Sequence, residues 1–283
     1  MILRASLMLG FVLAGVLQAG ELAAQSATKG EQGKMQEQGG LVLLHETFED
    51  HDIDSVPEVS ALERVEKVTV IDGAGKAGSG KVARFNDSDK EELGAMEYNV
   101  GESALSTMYV EFDALNNDSA KGDEKSAVIF GVGPWGSGRD LVVNSKAKRA
   151  FGLEMYQQKV FKLRVGAEPA AEMEYDPKAA FNVKIWANDH DTNTLDYKRP
   201  DNGETVKLKA DSVVVWINNS LIGKLEATGC AMHSEITKGD TVIGRAGFSS
   251  SSTKVADFLF DNLHIEDPTV KAKPAEAAGS KSK

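Results

Sequence analysis

The chain has 283 residues, 41% of them hydrophobic, and carries 32 Lys and Arg against 43 Asp and Glu, a net charge of −11. An acidic chain without a basic stripe has little to offer phosphates, which excludes nonspecific nucleic-acid binding. Its one cysteine, Cys230, excludes an intramolecular disulfide and a thiolate zinc cluster, and it reads as a half-buried thiol rather than a nucleophile.

In chain order, residues 1–24 have the parts of a signal peptide. Arg4 precedes an apolar run from Leu7 to Leu17, and small residues follow at Ala19, Ala23 and Ala24. The run is shorter than the about 20 residues that span a bilayer. The expectation is an exported protein, secreted or periplasmic, with no integral membrane anchor after cleavage. Residues 25–39 have almost nothing to bury and predict a disordered leader; residues 268–283, rich in Lys, Ala and Ser, predict a disordered tail.

Residues 40–267 alternate apolar and polar positions with period two, in short runs bounded by turn residues. Strands are predicted near Leu41–Phe48, Glu66–Ile71, Lys81–Phe85, Gly94–Val100, Met108–Leu115 and Ser126–Val132. Further strands follow near Ala150–Gln157, Val160–Val165, Phe181–Asn188, Ser212–Ile217, Thr241–Ser249 and Ala256–Ile265. A turn of helix at Asp89–Leu93 is the one departure. Asp72-Gly73, Asn116-Asn-Asp118, Asp201-Asn-Gly203 and Asn218-Asn219 supply turn chemistry in the gaps. Many short strands without a mid-chain linker predict a single all-β domain.

Four segments carry a resemblance: Leu44-His-Glu-Thr-Phe-Glu49, Val213-Val-Val-Trp-Ile-Asn-Asn219, Gly244-Arg-Ala-Gly-Phe248 and Phe258-Leu-Phe-Asp-Asn-Leu263. Together with the signal peptide they resemble exported bacterial domains of the concanavalin A-like (laminin G-like) class. The resemblance implies a jelly-roll β-sandwich of two antiparallel sheets. It implies a role among lectin-like modules, glycosidases and polysaccharide lyases, and the fold alone does not choose between them.

Three motifs bear on that choice. Gly75-Lys-Ala-Gly-Ser-Gly80-Lys81 begins like a phosphate-binding loop, but Val82 replaces the magnesium-binding hydroxyl and strand-like alternation replaces the helix, leaving a glycine-rich loop. Met108–Asn116 resembles the Glu-x-Asp-x-x-Glu strand of family 16 glycoside hydrolases through Glu111 and Asp113. That family's acid/base position is Asn116 here, and an amide cannot give and recover a proton, which argues against hydrolysis. Asp189, Asp191 and Asn193 alternate as in a calcium loop, yet Thr194 and Pro200 break the EF-hand pattern. A calcium site and a solvated acidic turn both remain open. Asp261, with Glu49 and Asp50, is a second candidate cation site if the terminal strands pair.

Side-chain alternation points to a binding surface. Asn182, Lys184, Trp186 and Asn188 share one face of their strand; Glu154 and Tyr156 share one on theirs; Lys162 pairs with Arg164. If these strands lie in one sheet with Glu111 and Asp113, they make a concave polar and aromatic face for a polysaccharide or oligosaccharide, with Trp135 at the rim. Trp216 reads as packing. The leading expectation is an exported carbohydrate-binding, lectin-like domain. The alternative is a glycan-cleaving enzyme, either a polysaccharide lyase or a relative of the 3-keto-disaccharide hydrolases. Tyr156 or His190 would then abstract a proton while Arg164 and Lys184 neutralise a carboxylate. An envelope scaffold or adhesion protein is the third. The acidic surface favours neutral sugars unless Lys162, Arg164 and Lys184 gather locally.

Overall fold

The computed structural model describes residues 40–58, 61–73, 80–88, 93–118, 125–136, 145–239, 242–250 and 255–271. The expected signal peptide and leader, residues 89–92 of the helical turn expected at Asp89–Leu93, most of the glycine-rich loop and most of the tail lie outside the described residues.

Eighteen strands are described. They begin with β1 (Leu41–Glu46), β2 (Leu62–Glu66), β3 (Val68–Asp72), β4 (Lys81–Asp87), β5 (Ala95–Asn99) and β6 (Thr107–Asn116). Next come β7 (Ala127–Pro134), β8 (Phe151–Tyr156), β9 (Val160–Val165), β10 (Glu168–Glu174), β11 (Phe181–Asn188) and β12 (Leu195–Lys198). The last are β13 (Thr205–Leu208), β14 (Ser212–Ile217), β15 (Ser220–Leu221), β16 (Cys230–Ala231), β17 (Ile243–Ser250) and β18 (Ala256–Asp267). A nine-stranded sheet runs β15-β14-β11-β6-β18-β4-β3, with β1 beside β18 and β16 beside β14; a seven-stranded sheet runs β10-β9-β8-β7-β17-β5-β2. Every ladder is antiparallel. The chain passes repeatedly from one sheet to the other, giving the jelly-roll sandwich of the concanavalin A-like class.

Alternation explains the core. Val110, Phe112 and Ala114 of β6, Val183 and Ile185 of β11, and Phe260 of β18 face Val128 and Phe130 of β7, Leu153 of β8 and Phe248 of β17. Four phenylalanines bridge the sheets, with ring centroids 5.2 Å apart for Phe112 and Phe130 and 4.0 Å for Phe248 and Phe260. Each such buried side chain contributes about 1.5–3 kcal/mol.

Two differences from the sequence expectation matter. The single strand expected at Glu66–Ile71 is split between sheets at Lys67, whose φ of 58° turns the chain. Residues 195–208, where a turn at Asp201-Asn-Gly203 but no strand was expected, form the hairpin β12–β13, whose Leu195, Tyr197 and Leu208 are buried.

Candidate functional site

The residues expected to share one surface divide between two. Glu111 and Asp113 on β6 and Asn182, Lys184, Trp186 and Asn188 on β11 point outward from the nine-stranded sheet. Tyr156 on β8 and Lys162 and Arg164 on β9 point outward from the seven-stranded sheet, on the far side of the sandwich. Alternation sets a side chain's face within its strand, but sheet membership is a matter of long-range pairing.

On the nine-stranded sheet, hairpin β12–β13 lies over the aromatic residues. Trp186 is 1% exposed, with its ring 4.8 Å from both Tyr109 and Tyr197, and it shares a small second core with Leu195, Leu208, Val214 and Trp216. The expectation that Trp186 stands open among polar neighbours is therefore corrected; Trp216 packs as expected. Asn188 is likewise buried, its Nδ2 donating to the backbone oxygens of Asn193 (2.8 Å) and Lys209 (2.9 Å) at the hairpin's base. Neither residue is free to meet a ligand.

Beside this cover, Glu111 accepts from the Tyr109 hydroxyl (2.5 Å) and from Asn182 (3.1 Å), with Lys184 Nζ at 3.5 Å. Asp113 accepts from Asn182 (2.9 Å) and Asn262 (2.8 Å). Asn116 points the other way, donating to the Gln157 carbonyl at 2.8 Å across the sandwich, so it takes no part in this face. His190 follows β11 at the end of this sheet, its carbonyl accepting from the amide of Asp211 at 3.1 Å.

Asp189 is wholly buried, and its Oδ2 accepts from the amides of Val242 (2.6 Å) and Ile243 (3.1 Å). Burial, opposed by those amides and reinforced by Asp211 and Asp191, pushes its carboxyl up to about 7. Asp191 and Asn193 are exposed. Among the described residues no three His, Cys, Asp or Glu are placed to hold a metal ion. Through its two amide bonds Asp189 serves as a clasp on the start of β17. The terminal strands do pair, β1 with β18. Asp261 is raised to about 7 by burial, with Asp113, Glu49 and Glu46 adding repulsion.

The outward face of the seven-stranded sheet is built differently. At one level, Arg164 of β9, Gly152 of β8, Gly131 of β7, Gly247 of β17 and Glu97 of β5 are successive neighbours, so three adjacent central strands carry no side chain there; the three glycines are buried, and the Arg149 guanidinium lies against Gly152. Along β7, Ile129, Gly131 and Gly133 share the outward side, and Trp135 follows just past the strand's end. Trp135 is 39% exposed, and the side chain-free Gly244 lets it settle against β17. Also on this face, the buried Ser249 hydroxyl has no hydrogen-bond partner among the described residues.

Glu154 is the hub of the charged groups here. Its Oε2 accepts from Arg164 Nε (2.6 Å) and the Tyr156 hydroxyl (2.7 Å), and its Oε1 from Arg149 Nη2 (3.1 Å). Burial alone would raise its pKa, but the bonds from Arg164 and Tyr156 and the charges of Arg164 and Arg149 hold it below the usual carboxylate range. Burial, then the bond to Glu154, raises the Tyr156 phenol. Lys162 lies over the Tyr156 ring, 5.6 Å from its centroid, and reaches Glu172 at 2.9 Å. Arg245 and Glu97 form a buried pair at 3.0 Å. Arg149, the most buried member, escaped the sequence reading because it precedes β8 and has no place in the strand alternation.

No family model matches the chain, and no curated protein matches it in sequence. Solved structures of similar form include a GH131 β-glucanase catalytic domain from Podospora anserina, at 10% identity and a TM-score of 0.47, covering 82% of this chain and 98% of that one. The potassium-bound carbohydrate recognition domain of Emp46p is 12% identical with a TM-score of 0.42, over 65% and 82% of the two chains. The alginate lyase vAL-1 from Chlorella virus is 10% identical with a TM-score of 0.37, over 76% and 100%. Likenesses this distant say nothing of what this chain binds.

Proposed function

We propose that the protein is an exported carbohydrate-binding domain that holds an oligosaccharide on the outward face of its seven-stranded sheet. The observation that carries this reading is Trp135. It is an exposed indole just past the end of β7, so a flat apolar ring stands at the margin of this sheet where a sugar can reach it. Aromatic faces stack on the C–H faces of sugars, and neighbouring charged and amide groups bond their hydroxyls. Tyr156 lies opposite Ala127 at the other end of β7. At about 3.3 Å per strand residue the two aromatics are roughly 25 Å apart, a span suited to several linked sugars.

Binding is favoured over cleavage by the state of the candidate catalytic groups. A base must be able to lose its proton, and Tyr156 donates to Glu154 with a raised pKa. A general acid must hold a proton, and Glu154 is kept ionised by two guanidinium groups. His190 and Lys184 belong to the other sheet.

The test is retention of the purified protein on an array of oligosaccharides, with the eluate assayed for new reducing or unsaturated ends. Retention without product, lost in Trp135→Ala, is expected. Product formation would move the protein to the enzymes, and no retention on any glycan would leave a scaffold or adhesion role.

A further inference from the structure

Trp135 is exposed, yet it is held at its backbone, at its indole N–H and at its ring. Its amide donates to the Val242 carbonyl at 2.8 Å, and the Val242 amide is in turn bonded by Asp189 Oδ2 at 2.6 Å. Its indole N–H reaches the Gly101 carbonyl at 3.4 Å, and its ring packs on Gly244, where an added Cβ would stand 2.6 Å from the indole Cδ1. A ring fixed in this way has little freedom left to lose when a ligand stacks on it.

Asn99 completes the clamp from the end of β5. Met96 and Tyr98 enter the core, so Glu97 and Asn99 take the outward side of the strand. The Asn99 Oδ1 accepts from the amide of Gly136, the residue after Trp135, at 3.1 Å. Gly136 has a φ of 124°, where any other side chain would be strained, so the turn that presents this N–H depends on glycine. An N–H can bond only to the oxygen of a carboxamide. The bond therefore fixes which end of the Asn99 amide faces the chain and directs the two Nδ2 hydrogens away from it. Among the described residues no partner takes those hydrogens, and the side chain is half-buried beside the exposed indole.

We propose that Asn99 is a contact residue of the sugar site at Trp135, its Nδ2 donating to a hydroxyl oxygen of the sugar whose C–H face stacks on the indole. This rests on the carbohydrate-binding reading and adds to it the bond that orients the sugar. Stacking alone leaves a sugar free to turn about the normal to the ring. A donor fixed beside the ring removes that freedom and selects sugars with a hydroxyl at the matching edge.

The experiment is calorimetric titration of the full chain with linear tetraoses of glucose, mannose, galactose and xylose, followed by the monodeoxy forms of the tightest ligand. The same series is run on Asn99→Ala, a half-buried position at a strand end whose truncation the fold tolerates. Removing one particular hydroxyl should weaken binding to the wild type by about five- to tenfold, the size of one neutral hydrogen bond. In Asn99→Ala, which should bind the parent tetraose more weakly by a similar factor, the same deoxygenation should cost nothing further. A shift of Trp135 would weaken every member of the series alike and could not single out one hydroxyl. Wild-type affinity in Asn99→Ala, or equal losses for every deoxygenation in the two proteins, overturns the Asn99 assignment and leaves the carbohydrate-binding reading standing. No binding of any tetraose to the wild type overturns both.

Discussion

Arg149 lies across the bare backbone of Gly152: a Cβ added there would stand 2.5 Å from the Arg149 Cζ. The glycine is what lets this guanidinium reach Glu154 Oε1 while Arg164 bonds Oε2.

Gly152→Ala should therefore destabilise the protein by about 1–3 kcal/mol, the usual cost of overfilling a packed position. In an Arg149→Ala background the same change should cost much less. Urea denaturation of the four proteins in that cycle gives the coupling energy; additive effects would show that Arg149 does not occupy the space above Gly152.

Glu154→Gln leaves buried guanidinium groups without their shared carboxylate, and should cost about 3–5 kcal/mol. The pH dependence follows from the sign of the shift. A carboxyl depressed in the folded state stabilises it above the unfolded pKa, and that contribution is lost as pH falls through the folded value. The wild type should lose stability below about pH 4.5 more steeply than Glu154→Gln does.

Asp189 has the opposite sign. Its folded pKa of about 7 exceeds the ordinary 3.8, so its contribution to stability is full below the lower value and fades as pH rises to the upper one. Asp189→Asn keeps an oxygen for the two amides and removes the charge. Allowing for solvent screening, the variant should gain about 1 kcal/mol on the wild type between pH 5 and pH 8. Thermal melts at both pH values read this directly.

Of the three tryptophans, only Trp135 should be open to acrylamide, since Trp186 and Trp216 are each 1% exposed. Trp135→Phe should abolish most quenching, and a bound oligosaccharide should protect the wild type. Strong quenching in the variant would mean that β12–β13 does not stay closed.

Leu208→Ala opens that cover. Loss of a wholly buried leucine should cost about 2–5 kcal/mol and expose Trp186 to quencher. Oligosaccharide affinity should not change, because the hairpin covers the other sheet.

Alternation by itself determined most of the strands and which side chains of each face the core. Phe181, Val183, Ile185 and Ala187 point inward and Asn182, Lys184, Trp186 and Asn188 outward, because successive strand residues must take opposite sides. Composition determined the acidity and the lack of a disulfide. Only the tertiary structure decided which strands share a sheet, and so placed Tyr156 and Arg164 on the opposite side of the sandwich from Glu111 and Asp113. It also decided that Trp186 is roofed by Leu195, Tyr197 and Leu208, residues on two four-residue strands whose alternation is too brief to announce them. The row of Gly152, Gly131 and Gly247 depends on register between strands that are distant in sequence. Register is set by long-range pairing and packing, and no local pattern encodes it.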